Sequence, residues 1–132
     1  MTLITPLISV VTPTWQRPDL LLGRCVPSVQ KQDYPNVEHV IVSDGPDPVL
    51  SAWRDEGFNL NVSYYELGDH HPEPNLGHYA RLAGVERATG EYITYCDDDD
   101  SLRPAHCTLL AQALDENPRA GFAVSRMVSH HA

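Results

Sequence analysis

Asp97, Asp98, Asp99 and Asp100 stand in an unbroken row directly after the apolar run Tyr92-Ile93-Thr94-Tyr95-Cys96. Four like charges at the end of a buried strand repel one another and lose solvation. A divalent cation relieves both costs, because hard cations take carboxylate oxygens as ligands. In an extended segment, alternation places Asp97 and Asp99 on one side and Asp98 and Asp100 on the other. The row therefore offers two separate jobs rather than one fourfold cage. Taken alone, such a row serves equally well as a solvated loop that caps the next helix. Asp44, in Ser43-Asp44-Gly45, closes a second apolar run and suits either an Asp-Gly turn or an acceptor for a ligand. Which role applies depends on the elements that carry these residues.

Residues 7–11 are short, apolar and β-branched, and read as a buried strand. Pro18 and Asp19 start a helix with Leu20, Leu21, Leu22, Cys25, Val26 and Val29 near helical spacing, and Pro27 kinks it. Residues 37–42 form a second strand, about 48–56 a short helix, and 60–67 a third strand. The polar stretch 68–74 is a loop, and Asn75-Leu76-Gly77 leads into a helix that ends at Thr89-Gly90. Residues 91–96 form a fourth strand, Pro104 starts another helix that stops near Asn117-Pro118, and 121–128 form a fifth strand. Strand and helix alternate, so the expected fold class is α/β, with a mostly parallel sheet flanked by helices. Such sheets bind ligands beyond the carboxyl ends of their strands. Three polar strand ends, at 12–17, 43–47 and 97–100, should converge on one crevice.

The 132 residues and 42% hydrophobic content fit a single domain spanning 1–132 with its own core. A net charge of −9 and a pI near 5.0 argue against nucleic acid as a partner bound through a basic surface. They leave room for an anionic nucleotide held through a metal. No stretch approaches the roughly 18 apolar residues of a transmembrane segment. The first residues lack a basic region and Pro6 interrupts them, so a signal peptide is not expected. Cys25, Cys96 and Cys107 lack a CxxC spacing and read as reduced thiols of a cytoplasmic protein.

Three segments together resemble the family 2 glycosyltransferases of the GT-A fold. Residues 8–18, Ile8-Ser9-Val10-Val11-Thr12-Pro13-Thr14-Trp15-Gln16-Arg17-Pro18, are similar to the family's opening "ISVVTPTYNR". Val40-Ile41-Val42-Ser43-Asp44-Gly45 is similar to "VIVVDDGS", with Ser43 where Asp is commoner. Residues 90–100 are similar to "GEYIxFLDxDD". Asn75-Leu76-Gly77 and Ala80-Arg81 match the family's "NxGxxxARN", with Leu82 in place of its Asn. The order and spacing of these segments cover almost the whole chain.

The resemblance implies a Rossmann-like GT-A nucleotide-binding half, a nucleotide-sugar donor, with UDP favoured by family habit, and a divalent metal, Mn2+ or Mg2+. Thr12, Pro13, Thr14 and Trp15 would line base and ribose, and Asp44 would accept a hydrogen bond from the base. Two registers of the acidic row are open. In one, Asp98 approaches the ribose and Asp99 binds the metal. In the other, Asp97 and Asp99 form the metal-binding pair with Asp100 behind them. Arg81 suits either a phosphate or an exposed helix face, and Arg17 is placed likewise. Trp15 suits stacking on a base or simple packing. His70 and His71 read as solvated or acceptor-side loop residues, and His78 as helix surface.

Inverting transferases of this kind need an Asp or Glu as general base for the acceptor hydroxyl, and the family draws it from the second half of the domain. The sequence ends at Ala132, so it is expected to lack the acceptor-binding half, and no base is assigned. The acceptor, whether saccharide, lipid or small molecule, is not specified. A shortened sheet exposes an apolar edge and makes a homo-oligomer an expectation. The competing reading is a nucleotide-sugar binding module without transfer. A sugar nucleotidyltransferase fits less well, since the loop after the first strand has no glycine. A Rossmann dehydrogenase is disfavoured because no GxGxxG follows that strand.

Overall fold

Short runs of valine, isoleucine and tyrosine build the four strands seen among the described residues, β1 (Ile8–Thr14), β2 (Val37–Ser43), β3 (Val62–Glu66) and β4 (Tyr92–Tyr95). The structure is a computed structural model and describes residues 5–57, 61–72 and 74–125. All strand pairs are parallel, in the order β3-β2-β1-β4. In register, Val11 of β1 lies between Val40 of β2 and Tyr95 of β4. Chain order reverses at β1, between β2 on one side and β4 on the other, and such a switch point is where an open α/β sheet leaves a crevice.

Alternation along the strands sends successive side chains to opposite faces. On one face Ile8, Val10 and Ile41 pack with Leu21, Cys25, Val26 and Val29, with Leu50, and with Cys107. These come from the segment after β1, from α3 (Pro48–Asp55) and from α5 (His106–Glu116). On the other face Val11, Val40 and Val42 pack against Ala80 of α4 (His78–Arg87). Leu50 has no exposed surface, and burying such a side chain contributes roughly 1.5–3 kcal/mol. Asp47 caps α3 by accepting from the backbone N–H groups of Val49 at 3.1 Å and Leu50 at 3.2 Å, while Pro48 starts the helix.

Glycine sets how closely α4 lies on the sheet. A Cβ on Gly84 would stand 2.5 Å from Cγ1 of Val11, well inside ordinary contact, so only glycine lets the helix sit at this depth. The segment after β1 answers the conflict posed by Pro27. It runs as α1 (Pro18–Leu20), a π-helical turn (Leu21–Cys25) and α2 (Val26–Gln30). The Val26 N–H reaches back to the Leu21 carbonyl, a wider i→i−5 bond that makes room for the proline ring, which otherwise strikes the carbonyl four residues earlier.

Two expectations change. The described part of the fifth strand, residues 121–125, has no strand pairing, and residues 126–128 lie outside the described residues. The last helix begins at His106 rather than at Pro104, which stands in the preceding turn. Residue 60, the expected start of β3, and His130 and His131 also lie outside the described residues. No helix is long and apolar enough to cross a membrane among the described residues.

Candidate functional site

The ends of β1, β2 and β4 meet in a cleft of about 440 Å³ lined by Pro13, Thr14, Trp15, Arg17, Asp44, His70 and Asp97 to Asp99 of the acidic row, with Gly77 and Arg81 at the start of α4. A second hollow of about 290 Å³ lies at the opposite ends of the strands, around Leu7, Glu38 and Asn61, away from these groups. The cleft has the chemistry, and it lies where an open α/β sheet of this topology leaves a crevice.

The acidic row does not continue as a strand. β4 stops at Tyr95, and the Asp100 N–H donates to the Asp97 carbonyl at 3.0 Å, so the four aspartates bend into a turn. The expected division into alternate pairs is therefore replaced by three and one. Oxygens of Asp97, Asp99 and Asp100 all lie within 4.8 Å of one another, a set of hard donors that fits a divalent cation. Asp98 turns inward, is 6% exposed, and accepts from the Thr14 hydroxyl at 2.9 Å. That bond spans the switch point from β1 to β4.

Arginines gather around this turn. Arg17 Nη1 lies 3.3 Å from Asp99 Oδ2 and 3.5 Å from Asp98 Oδ1. Arg81 Nη2 donates to Asp97 Oδ1 at 3.2 Å. Arg24, which the sequence did not single out, donates to the Asp99 carbonyl at 2.8 Å. Its signal was there: it follows Arg17 by about two helical turns and so shares its face. Burial raises the Asp98 pKa above its ordinary value, opposed by the Thr14 bond and Arg17. Burial also raises that of Asp100, helped by the charges of Asp99 and Asp97. Burial is the first cause of both shifts, and at Asp100 the neighbouring carboxylates add to it, as a cation there would offset.

Asp44 sits at the far side of the cleft with 3% exposure. An ionised carboxylate only accepts, which assigns the ring protons beside it. His71 donates from Nδ1 to Oδ1 at 2.6 Å and from its backbone N–H to Oδ2 at 3.3 Å. His70 Nδ1 lies 2.9 Å from the Asp44 carbonyl and 3.2 Å from Oδ2. His70 stacks on Trp15 with centroids 4.1 Å apart, and His71 stacks on Tyr79 at 3.9 Å. Trp15 thus gives one face to a histidine. Gly45, at φ +129°, passes so close that an added Cβ would meet Trp15 at 2.9 Å and the His70 backbone at 3.0 Å. Asn75 ties the loop to α4, donating to the His71 carbonyl at 2.8 Å and accepting from the Gly77 N–H at 2.9 Å.

His70 is exposed and His71 half-buried in this polar loop, and both side chains also reach Asp44, a partner that the sequence did not point to. His78 is exposed at the start of α4, as a surface residue. Thr12 departs from expectation. It has no exposure, and its hydroxyl donates to the Cys96 carbonyl at 2.6 Å and accepts from His39 Nε2 at 2.7 Å. With its one proton used, it fixes the Nε2–H tautomer of His39 and supports the loop from below instead of lining the cleft. The other expected residues, Pro13, Thr14, Trp15, Arg17, Asp44, Arg81 and Asp97 to Asp99, are brought together.

Comparison with known proteins gives a consistent result. The profile of the family described as "Glycosyl transferase family 2" matches residues 9–131. GalNAc(5)-diNAcBac-PP-undecaprenol beta-1,3-glucosyltransferase of Campylobacter jejuni is 31% identical over 113 residues, covering 84% of this chain and 35% of that one. The chain thus spans about a third of that relative's length. Residues 1–349 of S. aureus TarS in complex with UDP-GlcNAc superpose with a TM-score of 0.72 at 23% identity, over 91% of this chain and 37% of that one. Mannosyltransferase PcManGT from Pyrobaculum calidifontis, in complex with GDP-Man and Mn2+, gives 0.62 at 23%, over 80% and 31%. At these identities the two structures speak to a shared fold.

Proposed function

Since the chain belongs to glycosyl transferase family 2, we propose that its cleft holds a nucleotide-diphosphate-sugar donor, UDP-linked in the first instance, for transfer of the sugar to an acceptor hydroxyl. The observation that carries this reading is the convergence of three strand ends on one cleft, with an oxygen-ligand trio facing two guanidinium groups. The complexes of TarS with UDP-GlcNAc and of PcManGT with GDP-Man and Mn2+ support a nucleotide sugar as ligand of this fold.

In this reading Asp44 accepts from the base, Pro13 and Trp15 wall the nucleoside, and Asp98, held by Thr14, faces the ribose. Asp97 and Asp99, with Asp100 beside them, hold a divalent ion, Mn2+ or Mg2+. When bound, that ion supplies Lewis-acid neutralisation of the diphosphate as it departs. Arg17 and Arg81 now rest on the aspartates at 3.3 and 3.2 Å, and their guanidinium forks suit phosphate oxygens once those carboxylates take a cation. The transfer inverts the anomeric carbon, and the general base is not among the assigned residues. A cytoplasmic setting belongs to the same reading. The exposed Ile93 and Tyr95 on edge strand β4 support self-association, which sedimentation tests.

The test is calorimetric titration of UDP in Mn2+ and again in EDTA. Binding in Mn2+ that disappears in EDTA is the expected result. Failure to bind UDP in Mn2+ by a chain that circular dichroism shows to be folded overturns the reading.

A further inference from the structure

We propose that Cys25 and Cys96 form a peroxide-sensitive dithiol beneath the acidic turn, and that joining them as a disulfide loosens the turn's grip on its cation. The coupling rests on the metal reading of Asp97, Asp99 and Asp100 given above, whereas the disulfide itself does not. The two thiols are in contact, with Cys25 donating to Cys96 Sγ at 3.6 Å. Cys25 closes the π-helical turn, and Cys96 stands between the end of β4 and Asp97. Both are buried.

Cys96 is the floor of the turn. Its Sγ faces the carbonyl oxygens of Asp97 and Asp100, each at 3.7 Å. Its backbone is pinned, the carbonyl accepting from Thr12 at 2.6 Å and the N–H donating to the Val11 carbonyl at 3.2 Å. Closing the sulfurs from 3.6 Å to a bond of about 2.05 Å therefore falls to the side chains. Cys96 Sγ is drawn toward Cys25 and away from both carbonyls, and its S–H is lost. The oxygens of the trio lie within 4.8 Å of one another in the bent turn, and a turn that loses its support spreads them.

The oxidant is a peroxide, hydrogen peroxide in the simplest case. The Cys25 sulfur attacks one peroxide oxygen and breaks the O–O bond. The other oxygen leaves with the thiol proton as water, and Cys25 becomes a sulfenic acid. The Cys96 sulfur then displaces that hydroxyl, which takes the Cys96 proton and departs as a second water. The peroxide gains the two electrons that the thiols lose. Access comes through the turn, since β4 is a short edge strand and such elements open locally. Cys25 also has polar neighbours, Thr12 Oγ1 at 3.5 Å and His39 Nε2 at 4.0 Å. Cys107 is the internal control. It is equally buried and bonds neither of the other thiols among the described residues. Burial, with the charge of Asp33, pushes its thiol up to about 11, and a thiol so placed is inert.

The experiment treats the folded wild-type chain with hydrogen peroxide in metal-free buffer, alkylates the remaining thiols and maps the linked peptides by mass spectrometry. Mn2+ alone, followed by electron paramagnetic resonance, then reports cation binding. The expected result is a Cys25–Cys96 linked peptide with Cys107 free. Mn2+ should bind about tenfold more weakly, a usual cost of losing the support behind a metal ligand, and dithiothreitol should restore it. By linkage, saturating Mn2+ should raise the reduction potential of the pair by about 30 mV in a glutathione buffer. Cys25→Ser should bind Mn2+ as reduced wild type does and keep that affinity through peroxide. If this variant does not fold, the dithiothreitol reversal in wild type decides. A folded chain in which the two thiols stay free, or are oxidised separately, overturns the proposal. A linked pair with unchanged Mn2+ affinity overturns it too, as does an equal loss of affinity in peroxide-treated Cys25→Ser. Reduced wild type that binds no Mn2+ defeats the metal reading and the coupling with it, while the disulfide is still decided by mass alone.

Discussion

Replacing Thr14 with valine keeps the shape of the side chain and deletes one hydroxyl. That hydroxyl donates at 2.9 Å to the Asp98 carboxylate, and the two residues are 4% and 6% exposed. A bond to a charged acceptor contributes about 1.5–3 kcal/mol. Arg17 remains 3.5 Å from the other oxygen, so the loss falls near the middle of that range, about 2 kcal/mol. For a chain of this length each kcal/mol moves the melting point by about 3–5 °C, so Thr14→Val should melt about 6–10 °C lower at pH 8. The pH dependence has a definite sign. Burial raises the folded-state pKa of Asp98 above its ordinary 3.8, against the pull of Thr14. Stability from such a group is fully present below the unfolded value and is lost as pH rises through the folded value. Removing Thr14 raises the folded value further, so the penalty is full at pH 8 and shrinks as acid protonates Asp98. Thermal melts of both chains at pH 8 and at a pH below the ordinary value of 3.8 measure this. An equal loss at both pH values, or a loss below about 2 °C at pH 8, would refute the reasoning.

Other perturbations reach other links. Asp99→Ala should abolish Mn2+-dependent UDP binding while the melting point moves by less than about 3 °C, since an exposed side chain carries little stability; unchanged UDP affinity by calorimetry contradicts the metal assignment. Gly84→Ala brings a methyl to 2.5 Å from Val11. Overpacking of about 1–3 kcal/mol should outweigh the roughly 1 kcal/mol of helix propensity gained, and Val11→Ala should relieve it, so urea melts of the double variant should be far from additive. Glu66 accepts from the Asp47 N–H, the Ser51 hydroxyl and the Tyr64 hydroxyl at 2.7–2.9 Å. Burial raises its pKa, but those bonds outweigh it and leave the value below the ordinary one. Its contribution is therefore present above the unfolded pKa and lost as pH falls through the folded one, and Glu66→Gln should flatten that acid limb of the stability curve.

The strands and the parallel order were legible because valine and isoleucine runs ending in polar turns have few other uses. The convergence of Thr14, Asp44 and the acidic row followed from that order. The internal geometry of the site did not follow. Alternation governs a strand, but the row lies in a turn closed by the Asp100 N–H, which no periodicity foretells. The contacts of His70 and His71 with Asp44 were not legible, because a polar loop rich in proline carries no sign of where it folds back. Thr12 was assigned by its neighbours in sequence, whereas it lies further down β1 than Thr14, buried against Cys96 and His39.

The Thr14–Asp98 bond joins residues 84 apart in the chain, and β1 meets β4 only after three strands and the intervening helices have been laid down. Contacts so distant in sequence are slow to close, because the chain between them must first give up its freedom. The cleft is then among the last parts to be completed as the chain folds, and the first to part if β4 frays from the edge of the sheet. A ligand that touches both Asp44 and the acidic turn spans that seam. Nucleotide would act as a latch on the final step of folding, shifting the balance toward the closed sheet by mass action. In that sense a bound nucleotide would help to finish the protein that binds it.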